Sequence, residues 1–271
     1  SSDVAGRGPS VECGTKSRSL MDFTVVIPAR YESSRLPGKP LVDILGKTMI
    51  HRVYDQAMKS DCRRVIVATD DERVLHEVER FGGTAVMTAR THESGTDRIE
   101  EVAAIQGMAE DEIVVNVQGD EPLIPPVAIN QVARCLADND CFMSTLYEQI
   151  LSINELFDPN LVKLVTDDHG QALYFSRAPM PWNRDGFAGK EKTLSSEIVY
   201  KRHIGIYAYR VGALRQFIKL PVAALEESEK LEQLRALAAG KKIFADEARE
   251  SFPAGIDTPD DLQRTIDYLE K

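Results

Sequence analysis

The residues with the clearest capacity for chemistry lie on one basic loop between Arg30 and Lys39. Three cations and two serine hydroxyls lie on this loop, and the candidates are Arg30, Ser33, Arg35 and Lys39. The loop follows the apolar run Phe23–Ile27, which predicts a buried strand of a parallel sheet. Ligands of such sheets bind beyond the carboxyl ends of the strands. The loop is therefore a candidate binding site for a triphosphate.

Two common phosphate-binding patterns do not explain this loop. Lys39 follows Gly38, but no glycine stands five residues before Gly38, so the P-loop pattern is absent. The dinucleotide fingerprint Gly-x-Gly-x-x-Gly is absent as well. Arginine and lysine are common on protein surfaces, so a solvated basic loop remains the alternative to a triphosphate site.

Two aspartates at the ends of separate elements complement the basic loop. Asp120 follows a predicted buried strand, and Gly119 before it allows the backbone to approach a ligand closely. A capping box of Thr258 and Asp261 already starts the last predicted helix, which leaves Asp257 free. Mg²⁺ takes one or two protein carboxylates and completes its shell with water and phosphate oxygens. The pair predicts a divalent-ion site, with ordinary turn residues as the alternative.

A polar helix start supplies a further group of candidates. Ser94 paired with Asp97, or Thr96 with the early acidic residues, is expected to cap a helix that begins near Gly95. The free N–H groups at such a start can receive a base or an anion. Capping alone is sufficient to explain this segment, so both interpretations stay open.

The second half of the chain carries polar residues near the ends of predicted strands and on a predicted helix. Arg177 can bind a carboxylate through two parallel hydrogen bonds, which makes it a candidate ligand for an acidic substrate. For His203, a structural role and a ligand contact are equally good interpretations. Glu232 and Gln233 lie on a helix predicted over 223–239. A solvated surface position explains both residues equally well.

Apolar periodicity predicts an α/β fold. Strands are predicted at 23–27, 64–68, 84–88 and 112–117, and helices at 48–60, 72–81, 94–106 and 125–137. This alternation indicates three layers, αβα, around a mostly parallel sheet. Further segments predict a lobe of strands and helices over the ligand edge: 161–166 with 171–176 as a hairpin, then 200–209, 223–239, 242–245 and 258–270.

Charge and composition narrow the classes of function. The net charge of −10 argues against a general nucleic-acid binder, and no apolar run approaches the eighteen residues of a membrane span. Four cysteines without a Cys-x-x-Cys pair fit a reducing cytoplasm. Residues 1–20 are polar and lack the apolar core of a signal peptide, which favours a disordered leader or tag before a single domain over 21–271.

Seven segments carry a resemblance to a known family. In chain order they are IPARYESSRLPGKPL, SGTDR, VNVQGDEPLIPP, YFSRAPMPW, RHIGIYAYR, LEQLR and GIDTP. Together they resemble the 3-deoxy-manno-octulosonate cytidylyltransferases, also called CMP-Kdo synthetases. The resemblance implies a fold of the nucleotide-diphospho-sugar transferase type. It also implies transfer of CMP from CTP to the anomeric hydroxyl of Kdo, an acidic sugar of lipopolysaccharide, with release of pyrophosphate.

The resemblance also implies roles for individual residues, a homodimer and Mg²⁺ as cofactor. Asp120 and Asp257 would bind Mg²⁺ and, with Arg35 and Lys39, form the catalytic set. The triphosphate would contact Arg30, Ser33, Arg35 and Lys39. The cytosine and ribose side would contact Ser94, Gly95 and Arg98. The sugar pocket would contain Gln118, Arg177, His203, Tyr207, Glu232 and Gln233.

Two other functions stay open at the level of sequence. One is a nucleotidyltransferase for a different acidic sugar, such as sialate or an amino-substituted Kdo. The other is a non-catalytic nucleotide-binding module on the same fold, since fold alone does not determine function. The presence of both Asp120 and Asp257 favours an enzyme.

Overall fold

The computed structural model describes residues 22–33, 35–251, 253 and 255–271. The predicted leader over 1–20 lies outside these residues. The strands are β1 (Phe23–Ala29), β2 (Asp43–Ile44), β3 (Lys47–Thr48), β4 (Arg64–Thr69), β5 (Ala85–Met87), β6 (Ile113–Asn116), β7 (Met143–Gln149), β8 (Lys163–Thr166), β9 (Ala172–Ser176), β10 (Lys201–Arg210) and β11 (Ile243–Glu247). The α-helices are α1 (Met49–Met58), α2 (Glu72–Arg80), α3 (Gly95–Ile105), α4 (Pro126–Asp138), α5 (Ile153–Phe157), α6 (Val211–Phe217), α7 (Ala224–Glu229), α8 (Leu234–Ala238) and α9 (Pro259–Leu269).

Nine of the strands form one mixed sheet that is mostly parallel. Its main order is β11-β7-β10-β6-β1-β4-β5, and the β8–β9 hairpin attaches to β10. Strand β10 runs antiparallel to β6 and β7, whereas β1 is parallel to both of its neighbours, β4 and β6. The predicted mostly parallel sheet is confirmed. The carboxyl ends of β1 and β6 therefore lie side by side.

The side chains of β1 alternate between two apolar cores. Val25 and Ile27 pack with residues of α1, α2 and α4 on one face of the sheet. Val26 packs with residues of α3, α6 and α8 on the other face. Because helices cover both faces, the strand is buried along nearly its whole length. The predicted three-layer αβα architecture is confirmed.

Capping side chains define the two helix starts nearest to the candidate site. Ser94 caps α3 and forms a reciprocal capping box with Asp97, one of the two predicted pairings. Thr258 caps α9 and forms the predicted capping box with Asp261. Each box satisfies N–H groups that the first helical turn leaves unpaired.

The helix predicted over 223–239 is instead two short helices, α7 and α8. Lys230 ends α7 in the left-handed conformation, with a φ of 53°. After this break, both Leu231 and Leu234 pack into the core below the sheet. Tertiary packing here outweighs the helical propensity of the segment. As a result, Glu232 lies in the link between two helices rather than on a helix face.

The sequence patterns missed strand β7, although it pairs with both β10 and β11. Two buried polar residues interrupt its apolar pattern. The hydroxyl of Ser144 donates to the carbonyl of Val132 at 2.8 Å, and that of Thr145 donates to the carbonyl of Ile206 at 2.8 Å. These bonds allow hydroxyl residues to occupy the interior of a sheet.

The added lobe has a small aromatic core of its own. Phe187 packs edge-on against Phe157 and Trp182 and also contacts Tyr200. The β8–β9 hairpin, which the sequence predicted, joins the lobe to the main sheet through β10. No helix among the described residues is both long and apolar enough to cross a membrane.

Candidate active site

An open cavity of about 390 Å³ lies at the carboxyl ends of β1 and β6. Such an edge is where parallel sheets bind their ligands. Most of the predicted nucleotide and metal residues line it, namely Arg30, Ser33, Arg35, Lys39, Gly95 and Asp120, together with Gln118 from the predicted sugar pocket. The tertiary structure thus brings together the basic loop, the end of β6 and the start of α3.

A cluster of opposite charges forms the centre of this site. The ammonium of Lys39 lies 2.6 Å from Oδ2 of Asp120 and 2.9 Å from Oδ1 of Asp257. The guanidinium of Arg35 lies 3.2 Å from Oδ1 of Asp257. Burial lowers the pKa of Lys39, but the two carboxylates outweigh burial and the net shift of its pKa is upward. Lys39 is therefore a stable cation between two anions.

Asp120 and Asp257 are the residues that could hold a divalent cation. Their carboxylates converge on one positively charged group, which shows that their spacing suits a cation. Among the described residues no group of three or more His, Cys, Asp or Glu side chains is arranged for a metal. Two carboxylates are nevertheless enough for Mg²⁺ when substrate phosphates and water complete its shell.

Main-chain and packing contacts fix the loop that carries Asp257. The N–H of Asp257 donates to Oδ2 of Asp261 at 3.1 Å. Ile256 is fully buried and packs with Leu36, which lies on the basic loop. A small apolar core thereby joins the loop of Arg35 and Lys39 to the loop of Asp257.

Gly119 lines the cavity and also lies close to the end of β1. A Cβ at this position would lie 2.8 Å from the carbonyl oxygen of Pro28, so a side chain cannot fit there. The structure therefore shows a close approach between the ends of β1 and β6, while the predicted approach to a ligand stays a prediction. This close approach allows Asp120 to face the same cavity as the basic loop.

The start of α3 contributes Gly95 to the cavity wall. The hydroxyl of Ser94 is engaged by Asp97, because it donates to Oδ2 at 2.9 Å and accepts from the backbone N–H at 3.1 Å. The helix start is thus held in place by its own cap. Gly95 also packs closely on the ring of Pro28.

Arg98, a predicted nucleotide contact, does not line the cavity. Its side chain is completely buried. The guanidinium pairs with Asp70 at 2.9 Å and donates to the hydroxyl of Thr88. These bonds tie α3 to the ends of β4 and β5. The carboxylate of Asp70 compensates the charge of the guanidinium and so allows this side chain to remain in the interior.

The predicted sugar residues include a partly buried, neutral histidine. Nε2 of His203 lies 2.9 Å from the hydroxyl of Thr145, and the ring packs edge-on against Phe175. Burial lowers the pKa of His203 to about 3, so the ring is uncharged at neutral pH. Tyr207 stacks at an angle on this ring, and burial raises its pKa.

Glu232 reaches the start of α3 from the link between α7 and α8. Its Oε2 accepts a hydrogen bond of 2.6 Å from the hydroxyl of Thr96. Its Oε1 is buried and has no hydrogen-bond partner among the described residues. Burial raises the pKa of this carboxyl group. Gln233, which follows it, is itself buried.

Arg177 lies at the end of β9 and does not line the cavity. Its Nε donates to the carbonyl oxygen of Glu229 at 2.8 Å, and its Nη1 donates to that of Pro159 at 3.1 Å. A substrate carboxylate would have to exchange with these carbonyl oxygens. Gln118, by contrast, lines the cavity, and its amide makes only long contacts to Asn116 and Gly205.

Comparisons with known proteins show the family of this chain. A family model described as cytidylyltransferase matches residues 24–243. This chain belongs to the cytidylyltransferase family. Two relatives named 3-deoxy-manno-octulosonate cytidylyltransferase, from Pasteurella multocida and Vibrio parahaemolyticus, are 52% and 55% identical to it over 258 and 243 residues. These alignments cover 93% and 90% of this chain and 100% and 96% of the relatives. The predicted resemblance is confirmed.

Solved structures place this cytidylyltransferase among proteins of the same fold. A structure of CMP:2-keto-3-deoxy-manno-octonic acid synthetase complexed with CTP is 42% identical, with a TM-score of 0.83 over 92% of this chain and 98% of that one. A cytidylyltransferase from Leptospira borgpetersenii shares the fold at 14% identity, with a TM-score of 0.59 over 92% and 87% of the two chains.

Two features of the cytidylyltransferase site escaped the sequence analysis. Burial raises the pKa of Glu121, next to Asp120, to about 8, and its Oε2 has no hydrogen-bond partner among the described residues. The guanidinium of Arg73 lies 3.4 Å from the ring centre of Tyr31, on the basic loop. The position of Glu121 directly after Asp120 in the segment QGDEP was a signal that the sequence offered. The stacking of Arg73 depends on tertiary contacts alone.

Proposed function

We propose that this cytidylyltransferase transfers CMP from CTP to the anomeric hydroxyl of Kdo, giving CMP-Kdo and pyrophosphate for lipopolysaccharide synthesis. The supporting observation is that a cationic loop and Asp120 line one cavity at the sheet edge, where Lys39 is paired with both Asp120 and Asp257. Relatives at 52% and 55% identity carry the name of this activity, and the 42% identical structure contains CTP.

The charges of the substrates explain why the site is built of ions. CTP brings about four negative charges and the sugar brings its carboxylate, so the two substrates repel each other. Arg30, Arg35 and Lys39 lie on the cavity wall where they can offset this repulsion. In transfers of this kind, positioning and electrostatic stabilisation account for most of the catalysis.

In the proposed reaction, the anomeric hydroxyl releases its proton to solvent, its oxygen attacks the α-phosphorus in line, and the bond from that phosphorus to pyrophosphate breaks. Arg35 and Lys39 stabilise the negative charge of the leaving pyrophosphate, for which Lys39 exchanges its carboxylate partners for phosphate oxygens. Arg30 and Ser33 hold the remainder of the triphosphate. No side chain acts as a covalent nucleophile in this scheme.

Asp120 and Asp257 are the proposed holders of Mg²⁺. The position of the Lys39 ammonium between their carboxylates supports a cation site. When bound, the ion would supply Lewis-acid stabilisation of the phosphate charges. The close approach at Gly119 and the α9 capping box hold the two segments that carry these carboxylates.

The sugar is proposed to lie between the cavity and the link from α7 to α8. Glu232 offers a buried oxygen without a partner among the described residues, which suits a sugar hydroxyl. His203 and Tyr207 supply neutral polar groups beside it, with Gln118 toward the cavity and Gln233 behind. Arg177 is the proposed ligand of the sugar carboxylate, after exchange with its carbonyl partners.

A homodimer and a cytoplasmic location belong to the same proposal. Leu151, Trp182 and Val199 flank the aromatic core of the lobe and are 80%, 57% and 52% exposed, which supports an interface there. Sedimentation equilibrium tests the dimer, and Leu151→Asp should shift it toward monomers. The four cysteines, which contain no Cys-x-x-Cys pair, support the cytoplasmic location.

A screen of pyrophosphate release tests the function. Each nucleoside triphosphate is offered with Kdo, amino-substituted Kdo or sialate in the presence of Mg²⁺. We expect release only from CTP with Kdo and its close relatives. Asp120→Asn should reduce the rate by about a thousandfold or more, because the ion contributes several kcal/mol. Binding of CTP with no release from any sugar would favour a non-catalytic module.

A further inference from the structure

The segment Gly255–Asp257 lies directly against Asp120 and Glu121. The N–H of Ile256 donates to the carbonyl oxygen of Asp120 at 2.8 Å. A Cβ at Gly255 would lie 3.1 Å from that carbonyl oxygen, 3.2 Å from Oδ1 of Asp120 and 3.3 Å from Cγ of Glu121. Such contacts are tighter than ordinary van der Waals separations, so only a glycine fits without displacing its neighbours.

We propose that Gly255 is a positioning residue that sets the separation of the two candidate metal-binding carboxylates. Because it has no side chain, the loop of Asp257 closes onto the loop of Asp120 and the main-chain bond of Ile256 forms. This link is a direct main-chain hydrogen bond, so it includes neither Lys39 nor a metal. The inference rests on the proposed function of Asp120 and Asp257 as holders of a divalent ion.

The segment after Gly255 has little freedom to absorb a larger residue. Ile256 is fully buried among Leu36, Ile44 and Met49. The N–H of Asp257 is bound to the carboxylate of Asp261, which also caps α9. A methyl group at Gly255 would therefore displace Asp120 rather than Asp257.

An alanine at this position isolates the contact from backbone effects. The φ of Gly255 lies outside the left-handed region that favours glycine, so alanine can adopt the backbone conformation without strain. Gly189 provides a matched control: it is exposed, its φ also lies outside that region, and a Cβ there would have no neighbour closer than 3.7 Å.

The experiment measures the dissociation constant of CTP by calorimetry, with and without Mg²⁺ and in the absence of any sugar. The ratio of the two constants reports the coupling between nucleotide and ion. For Gly255→Ala we expect this ratio to fall by about tenfold or more, as is usual when residues behind metal ligands change. The metal-free affinity for CTP should stay within about twofold of the native value, and Gly189→Ala should match the native protein in both.

The outcomes separate this inference from the proposed function. Suppose that Mg²⁺ no longer changes the affinity of Asp120→Asn for CTP but changes that of Gly255→Ala as in the native protein. The positioning role of Gly255 is then overturned and the metal site stands. If the native protein shows no difference between the two conditions, the proposed metal site fails and the inference fails with it.

A second measurement covers the case in which Gly255→Ala does not fold. Hydrogen exchange of the native protein without metal should show the Ile256 amide protected by about a hundredfold or more, since it is buried and bonded to Asp120. Addition of Mg²⁺ should leave this protection unchanged. An unprotected amide in the metal-free protein would overturn the inference.

Discussion

The charged centre around Lys39 and the polar cluster around Glu232 differ in how many of their polar groups have a partner. In the centre, Lys39 is in contact with both Asp120 and Asp257, so each charge has a partner of opposite sign. In the cluster, one oxygen of Glu232 is bound to Thr96, whereas the other is buried without a partner among the described residues. In the centre each charge is therefore balanced by an ion-pair partner. In the cluster, one oxygen of Glu232 still lacks a hydrogen-bond donor among the described residues.

This difference indicates how each region treats its substrate. The centre can admit a polyanion only by exchange of partners, because its cations are already paired. The cluster can admit a hydroxyl by addition, since an unpaired buried acceptor gains a hydrogen bond. We therefore expect variants of the centre to impair the nucleotide and the rate, and variants of the cluster to impair the sugar.

The largest expected effect comes from the centre. Lys39→Met removes the cation that faces both carboxylates and the proposed pyrophosphate. We expect kcat/KM for CTP to fall by about a hundredfold or more, in line with the loss of one electrostatic contact to a transition state. Steady-state kinetics with saturating sugar measure this change.

A surface lysine supplies the control for that variant. Lys47 pairs with Asp55 on an exposed part of the chain. Lys47→Met should leave kcat/KM within about twofold of the native value, because exposed ion pairs contribute little. A comparable loss in both variants would mean that the effect at Lys39 reflects general charge rather than its position.

A smaller effect is expected in the polar cluster. Glu232→Gln keeps the size of the side chain but weakens an acceptor for a sugar hydroxyl. We expect KM for the sugar to rise by about tenfold while KM for CTP stays unchanged, since hydrogen bonds to charged groups contribute about 2 kcal/mol. Glu227→Gln, on the exposed face of α7, is the matched control. A rise confined to KM for CTP would contradict the division between the two regions.

The smallest expected effect concerns stability and its dependence on pH. Burial of the ring lowers the pKa of His203 to about 3, below the value of 6.5 in the unfolded chain. Between these values the unfolded chain binds a proton that the folded chain does not. The free energy of unfolding should therefore decrease as the pH falls below 6.5, by up to about 1.4 kcal/mol per pH unit from this group.

Urea unfolding at pH 6.5, 5.5 and 4.5 measures that slope. His203→Gln should reduce it, whereas His76→Gln should not, because His76 is exposed on α2. An unchanged slope in His203→Gln would show that other groups account for the dependence of stability on pH.

Much of the parallel core and of the charged centre was predictable from the sequence. Continuous apolar runs, capping boxes and terminal glycines are local signals, and they located β1, α3 and α9 to within about two residues. Strand β7 was missed because buried hydroxyls interrupt its pattern. The break between α7 and α8 was missed because distant core contacts, not local propensity, favour it.

By itself the sequence determined which chemistry the protein could carry. The types and order of Arg30, Lys39, Asp120 and Asp257 predicted a phosphate and metal site, and the seven ordered segments predicted the family. Only the tertiary structure decided which of these side chains meet and which are turned inward, as for Arg98. The physical reason is that charge type is a property of each residue, whereas the partner of a charge depends on how distant segments pack.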